Sequence, residues 1–547
     1  MKEISTSIYT FSDLRKYDCL YVDKTSYIHR LLMKPKGQFF CARPRRFGKS
    51  LAVSTIEAIF KGKRELFEGL YLAMTDYDWP VHPVIHVDFG RYDNSTVELM
   101  ESGLQRALRY TAEEYGISAE GGSAADMFDD IIRKLYKKYG CGVVLLIDEY
   151  DKPIIGHVED AGDAEVFRAA LESFYQTIKG AEPLLRFVFL TGVTKFAKVS
   201  IFSELNNLTD ISMHRNYAAM FGYTQTELEE NFAEHLAQVV REGTRDRWGR
   251  VMDMQGLLDQ LRYWYDGFCF AVAAETVYNP VSIGQFFYSE GQFANYWFET
   301  GTPTFLLKLL VRKRMFLTDM VEASLSADSL ATFNLTDLAG REVSAERVVQ
   351  LLFQTGYLTL DSLLEMGALR SFSLRFPNEE VRSSFEVGLL TTYERLAESD
   401  TYAFKLVKAA MSGGTVQMIE LLREFFAGLR YDIQVKQEKY YQSIVYTIFR
   451  MCGMEMQAEV TTNIGRIDGV LDAEQHLYII EFKLDKTAEE AVQQIDAKKY
   501  AAMYVRPAQE KGQKVHALGI NFSYESGIRN ITDWRENILS DGDPSEK

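Results

Sequence analysis

"FFCARPRRFGKSLAVSTIEAIF", Phe39 to Phe60, is the stretch on which the fold of this chain turns. An apolar run, Phe39 to Ala42, gives way to a basic turn and then to helical spacing from Leu51 onward. Between them stands Gly48-Lys49-Ser50, the back half of a phosphate-binding loop, with Arg43 in the place of the first loop glycine. Such a loop needs backbone N–H groups converging on an anion at a helix N-terminus, a lysine for the terminal phosphates and a hydroxyl for magnesium. Strand, loop and helix occur here in that order. On this reading Lys49 holds the β- and γ-phosphates and Ser50 ligates Mg²⁺. Arg43 lacks glycine's backbone freedom, which weakens the fit to the generic loop but leaves lysine, hydroxyl and helix start untouched.

The complement lies at Asp148-Glu149. Five apolar residues, Val143 to Ile147, read as a buried strand that delivers two carboxylates to its C-terminal end, where parallel sheets bind ligands. Asp148 is expected in the magnesium shell, and Glu149 is placed to polarise an attacking water. One strand later, "FLTGVTK" brings Thr191 and Thr194 to the same edge, where a hydroxyl could sense the γ-phosphate. Taken singly, Gly-Lys-Ser can be a helix-start coincidence and "LLIDE" a strand ending in solvated acids. Together and in order they argue for a nucleotide site.

At 547 residues the chain calls for two to four domains. Its 47% hydrophobic and 25% charged residues are a globular composition. Cys19, Cys41, Cys141, Cys269 and Cys452 show no paired spacing, so thiols in a reducing compartment are expected, not a disulfide framework or zinc site. The N-terminus lacks a signal-peptide core and no apolar run is long enough for a membrane span, so the expectation is a cytoplasmic protein without a membrane partner. The net charge of −16 disfavours nucleic-acid coating by the whole surface, but not a local basic groove.

Apolar runs at 37–42, 83–89, 141–150 and 184–193, separated by helical stretches, imply a parallel sheet buried on both faces. Residues 216–224, "NYAAMFGYT", are a fifth expected strand. From 225 to 429 the texture is mainly helical, and "AERVVQLLFQTGYLTLDSL" with "ALRSFSLRFPNEEVRSSF" predicts helix, two strands and helix, a winged-helix-like order. From 430 to 547 a helix precedes strands at "MQAEVTT", "GRIDGVLDA" and "HLYIIEFKL", then a helix, a strand at "KVHALGINFS" and a polar tail. The expected domains are therefore 1–224, 225–429 and 430–547.

In the last of these, Glu481 and Lys483 lie two residues apart on one strand and project to one side, while Phe482 points away. Pairing that strand with "GRIDGVLDA" as a hairpin puts Asp468 beside Glu481. Two carboxylates and the Phe482 carbonyl suit Mg²⁺, or Mn²⁺ in its place, which would lower the pKa of a bound water and neutralise a scissile phosphate. Lys483 could orient that water or stabilise the transition state. An exposed Glu-x-Lys is common, but here the apolar "LYII" leads into it.

"YVDKT" (21–25), "RPRRFGKSL" (43–51), "VLLIDEYDKPI" (144–154), "FLTGVTKFAKVSIFSELNNLTDIS" (189–212) and "YWFETGTPTFL" (296–306) resemble the bacterial AAA-ATPase-like family. The resemblance implies a P-loop ATPase in which an arginine-rich loop is usual. ATP would be cradled by Arg45, Arg46, Phe47, Gly48, Lys49, Ser50 and Leu51. Asp148 and Glu149 would be the magnesium and catalytic carboxylates, and the cluster after Thr191 would lie near the nucleotide. Arg45 and Arg46 could instead reach a neighbouring subunit of a homo-oligomer, and Arg215 could act in trans. Residues 430–525 resemble the PD-(D/E)XK nuclease superfamily, with Ile467 where the superfamily name has proline. That resemblance implies a restriction-endonuclease-like α/β domain acting on nucleic acid, DNA before RNA. It adds Glu438 as a helical metal acid, for which an ordinary exposed helix start suits equally well, and Gln494 and Tyr500 as substrate contacts, for which surface helix positions are the safer reading. The expectation is an α/β protein joining an ATPase to a metal-dependent nuclease. The alternative is a switch-like signalling or scaffold ATPase whose last domain binds nucleic acid or protein without cutting.

Overall fold

The computed structural model describes residues 1–157, 161–195, 207–245, 250–299, 324–326, 329, 344–366, 369–385, 400–428, 436–462, 465–524 and 529–539. The chain divides into two compact units, Met1–Thr302 with Ala323–Arg382, and Pro303–Glu322 with Ser383–Lys547.

The first unit holds a sheet of β1 (Gly37–Ala42), β2 (Val84–Asp88), β3 (Val143–Asp148), β4 (Leu185–Gly192) and β5 (Thr209–Asp210). Every pairing is parallel, in the order β2-β3-β4-β1-β5. The apolar runs predict β1 to β4, and β3 is buried at every position, as a strand covered by helices on both faces must be. β4 separates β1 from β3, so the loop after β1 faces two strand ends at once.

The strand expected at 216–224 does not form. Arg215–Tyr217 is a 3-10 turn, and the edge strand is the two-residue β5. Here Ala218, Met220 and Phe221 are buried from a turn, where apolar content no longer reports strand period. Only Tyr223 keeps a bridge, to Tyr278.

Beyond residue 224 this unit is mainly helical among the described residues. Thr224 and Glu227 form a capping box that starts Gln225–Asn231, and Asn279 caps Pro280–Tyr288. Phe232, Leu261, Tyr265, Ile283 and Phe286 form the apolar core of this part. The helix Ala345–Thr355 is followed by a hairpin of β7 (Thr359–Met366) and β8 (Leu369–Arg375), which β6 (Ser324–Ser326) joins along β8. Asn378 then caps a helical segment over 379–385, completing the helix–strand–strand–helix order.

The second unit has a mixed sheet, β13-β12-β11-β10-β9. Its strands are β9 (Glu455–Thr461), β10 (Arg466–Ala473), β11 (His476–Leu484), β12 (Lys514–Ser523) and β13 (Asn530–Leu539). β11 and β12 run parallel, so a crossover must join them, and Ala488–Ala497 and Ala502–Glu510 supply it. β13 is an edge strand that the sequence reading does not foresee. The polar tail at 540–547 lies outside the described residues. No helix among the described residues is long and apolar enough to cross a membrane.

Candidate functional site

The loop between β1 and the helix Lys49–Phe60 takes left-handed backbone at Arg46 (φ 68°) and Gly48 (φ 87°). Arg43 is not among the positive-φ residues, so nothing in the backbone there demands glycine. Its guanidinium turns inward instead. It donates to the Ser212 carbonyl at 2.6 Å, the Ala42 carbonyl at 2.9 Å and the Tyr217 carbonyl at 3.1 Å, and lies 4.2 Å from the centre of the Phe270 ring. Phe47, also buried, meets Phe268 and Phe270 edge-on at 4.8 and 5.3 Å. The Trp297 indole N–H donates to the Arg45 carbonyl at 3.2 Å, and Pro44 packs where a Cβ on Gly356 would come within 2.6 Å. Thus the loop is held from outside, by side chains of the helical region in its own unit. Arg46 reaches the Tyr9 hydroxyl at 3.3 Å, Leu51 is half-buried in the loop helix, and the Arg45 and Arg215 side chains are exposed.

Lys49 is buried, and its ammonium donates to the Arg43 and Pro44 carbonyls at 3.0 and 2.9 Å. Burial lowers its pKa, and the charges of Asp148, Asp151 and Glu149 pull it back. Asp148 is buried beside it. Desolvation raises the Asp148 pKa, while a hydrogen bond from Ser50 and the Lys49 charge lower it. Glu149 has φ 50° and turns toward the β2 side. Its carboxylate pairs with Lys152 at 3.1 Å and sits where a Cβ on Gly90 would approach to 2.7 Å. Thr191 has a buried hydroxyl without a hydrogen-bond partner. The Thr194 hydroxyl is taken, donating to Asp151 at 2.7 Å.

Two residues here escape the sequence reading. Asp151 is buried and accepts from the backbone N–H groups of Val193 and Thr194, stapling the end of β3 to that of β4. Asp88 pairs with Asp148 in the β2–β3 register. A signal for Asp88 existed, since "VIHVD" ends an apolar strand in an acid just as "VLLID" does.

In the second unit the β10–β11 hairpin brings the expected residues together. The Asp468 carboxylate accepts from the Phe482 N–H at 2.8 Å. The Lys483 ammonium donates to Glu481 at 3.1 Å and to the Phe482 carbonyl at 2.9 Å. Glu438, first residue of the helix Glu438–Met451, accepts from the Leu484 N–H at 3.2 Å. Gln494 donates to Glu481 Oε1 from the crossover helix. Gln442, unforeseen, donates to the Asp468 carbonyl at 2.8 Å and holds the strand to the helix. Burial, followed by the Glu481 charge, pushes Asp468 up to about 7, and burial also raises Glu481. Glu481 Oε2 is buried with no hydrogen-bond partner among the described residues.

These donor sets fit divalent cations of the Mg²⁺ kind. An orphaned, buried carboxylate oxygen stands beside a second carboxylate and a carbonyl in one site, and a hydroxyl meets a carboxylate in the other. No group of three or more His, Cys, Asp or Glu among the described residues could hold a metal unaided. Mg²⁺ commonly completes such partial shells with water and phosphate oxygens.

A family model described as a predicted AAA-ATPase matches residues 5–202, and one for the PD-(D/E)XK nuclease superfamily matches residues 436–534. An uncharacterised protein in the vnfD 5′ region of Azotobacter chroococcum mcd 1 is 34% identical over 535 residues, covering 96% of this chain and 97% of that protein. The chain belongs to the predicted AAA-ATPase family. Its C-terminal part is a PD-(D/E)XK nuclease superfamily domain, and the similarity to the Azotobacter protein runs through both parts. In this chain the loop lysine, the β3 carboxylates and the β10–β11 set all fall within the matched segments. No solved structure matches it.

Proposed function

We propose that this chain binds and hydrolyses ATP at the loop and cuts nucleic-acid phosphodiesters, DNA in preference to RNA, at the β10–β11 site. One observation carries the second half: Glu481 and Lys483 are buried at a strand end beside the half-buried Asp468, and one Glu481 oxygen has no hydrogen-bond partner among the described residues. A pure binding surface has no use for two desolvated carboxylates, whose burial is costly unless a cation compensates it.

At the loop, Lys49 would exchange the Arg43 and Pro44 carbonyls for β- and γ-phosphate oxygens. Ser50 and Asp148 would hold Mg²⁺, Glu149 would polarise the attacking water, and the Thr191 hydroxyl would meet the γ-phosphate. Arg45, Arg46 or Arg215 would reach a neighbouring copy if the protein assembles as a homo-oligomer. At the second site Asp468, Glu481 and the Phe482 carbonyl, with Glu438 at the margin, would hold Mg²⁺ or Mn²⁺. When bound, that ion supplies charge neutralisation and a water of lowered pKa. Lys483 would then leave Glu481 to orient the water or meet charge on the phosphoryl oxygens. The segment 225–429 would link the two activities, between an ATPase part at 1–224 and a nuclease part at 430–547. Five unpaired thiols suit the reducing cytoplasm.

The test is cleavage of single- and double-stranded DNA and RNA in Mg²⁺ or Mn²⁺, with and without ATP, by wild type and Lys483→Ala. Cutting that the substitution removes is the expected result. No cutting under any condition would sink the nuclease reading and favour the switch-like ATPase, for which the externally clamped loop is the supporting observation.

A further inference from the structure

The helix Ala488–Ala497 presents more than Gln494 to the β10–β11 site. Residues four apart on a helix lie one above the other on the same face. Gln494 touches Glu481, and Lys498, the C-cap residue, follows it on that face by about 6 Å of helix rise. Glu481 and Lys483 are buried, whereas Lys498 is half-buried, so it is the outermost member of the row. Its ammonium lies 5.5 Å from the centre of the Tyr500 ring, and the charges of Glu481 and Asp468 both act on it. Unlike Lys483, it makes no ion pair among the described residues.

Gly465, just before β10, packs beside both groups. A Cβ there would come within 2.7 Å of the Tyr500 hydroxyl and 3.4 Å of the Lys498 ammonium. The glycine lets this turn pack directly against the buried Tyr500 hydroxyl and alongside the half-buried Lys498. The turn is pinned on the other side by Thr462, whose N–H donates to the Gly465 carbonyl at 2.7 Å and whose hydroxyl accepts from the Gly465 N–H at 3.0 Å.

We infer that Lys498 forms a phosphate subsite that holds the nucleic-acid backbone one phosphate away from the bond to be cut. The inference rests on the nucleic-acid reading of the β10–β11 site and adds a positioning residue to it. A helical turn matches the spacing of neighbouring phosphates on a strand, so the scissile phosphate at Asp468, Glu481 and Lys483 would leave the next one against Lys498. An ammonium that contacts only a phosphate contributes affinity without sequence preference.

The experiment measures binding of a labelled DNA oligonucleotide, single-stranded and duplex, to the full chain by anisotropy in Ca²⁺ over a salt series. Cleavage in Mg²⁺ is followed in parallel. For Lys498→Gln we expect Kd to rise about tenfold for every sequence tried, and the slope of log Kd against log salt to fall by about one. KM for cleavage should rise while kcat stays near wild type, and Lys498→Arg should restore both. A Kd and salt slope unchanged in Lys498→Gln would overturn the inference, as would weaker binding at an unchanged slope, which marks a structural role. Wild type that binds with this salt signature but never cuts would remove the nuclease and leave the subsite standing. Wild type that does not bind would remove both.

Discussion

At the loop site the buried lysine, Lys49, donates to two peptide carbonyls, whereas at the β11 site the buried lysine, Lys483, donates to a carboxylate and one carbonyl. Lys49 opens the helix that follows β1, Lys483 stands near the C-terminal end of β11, and both have carboxylates nearby. The difference lies in what each leaves uncompensated. Peptide carbonyls are neutral acceptors, so Lys49 keeps a charge that phosphate oxygens would satisfy better. Lys483 is matched by Glu481, which leaves Asp468 and the free Glu481 oxygen as the unmet demand. On the proposed reading, one site attracts an anion and the other a cation.

The comparison breaks most visibly if the two lysines can be exchanged in effect. Lys483→Ala should lower nucleic-acid cleavage by roughly 10²–10⁴-fold while ATP turnover stays as in wild type. Parallel oligonucleotide and phosphate-release assays would read both. Lys49→Ala should lower ATP turnover on the order of 10²–10³-fold and leave Mn²⁺ binding at the β11 site intact by calorimetry. Loss of Mn²⁺ binding in that variant would mean that the two sites are coupled.

A smaller effect sharpens the anion side. Arg43→Gly would restore the generic loop glycine, yet it should destabilise the protein, by about 2–3 kcal/mol, because three carbonyls lose a buried charged donor. Thermal melting with and without ATP would check it. A gain in stability would refute the view that this arginine replaces glycine for structural reasons.

Glu380 is a third case, a buried carboxyl that serves neither site. It accepts from the Ser282 hydroxyl and from the Trp297 N–H, each at 2.7 Å, and burial pushes it from the usual 4.5 up to about 8. The fold therefore favours its protonated form. Its contribution to stability is complete below pH about 4.5 and is lost as pH rises through about 8, by up to about 1.4 kcal/mol per pH unit. Glu380→Gln should flatten that slope, so that its stability relative to wild type improves from pH 5 to 8. Urea midpoints across that range would measure it.

Much of this was legible because the strands that carry chemistry are also the most buried. "VVLLID" and "LYIIEFK" announce themselves by continuous apolar runs ending in charge. β13 was missed because "NITDWRENIL" is a largely exposed edge strand whose apolar residues are too sparse to mark a period. The 216–224 segment was misread for the opposite reason, apolar residues buried from a turn. Asp151 and Trp297 carry no local pattern at all. Their roles arise from strands and helices distant in sequence, which only the tertiary arrangement juxtaposes.

The external clamp on the loop changes where nucleotide affinity can be tuned. Phe47 rests on Phe268 and Phe270, and the Arg45 carbonyl hangs from Trp297. Natural variation at those aromatics could raise or lower ATP affinity in related chains without altering any phosphate-touching residue. A survey confined to the loop motif would then score as identical proteins whose nucleotide set-points differ widely.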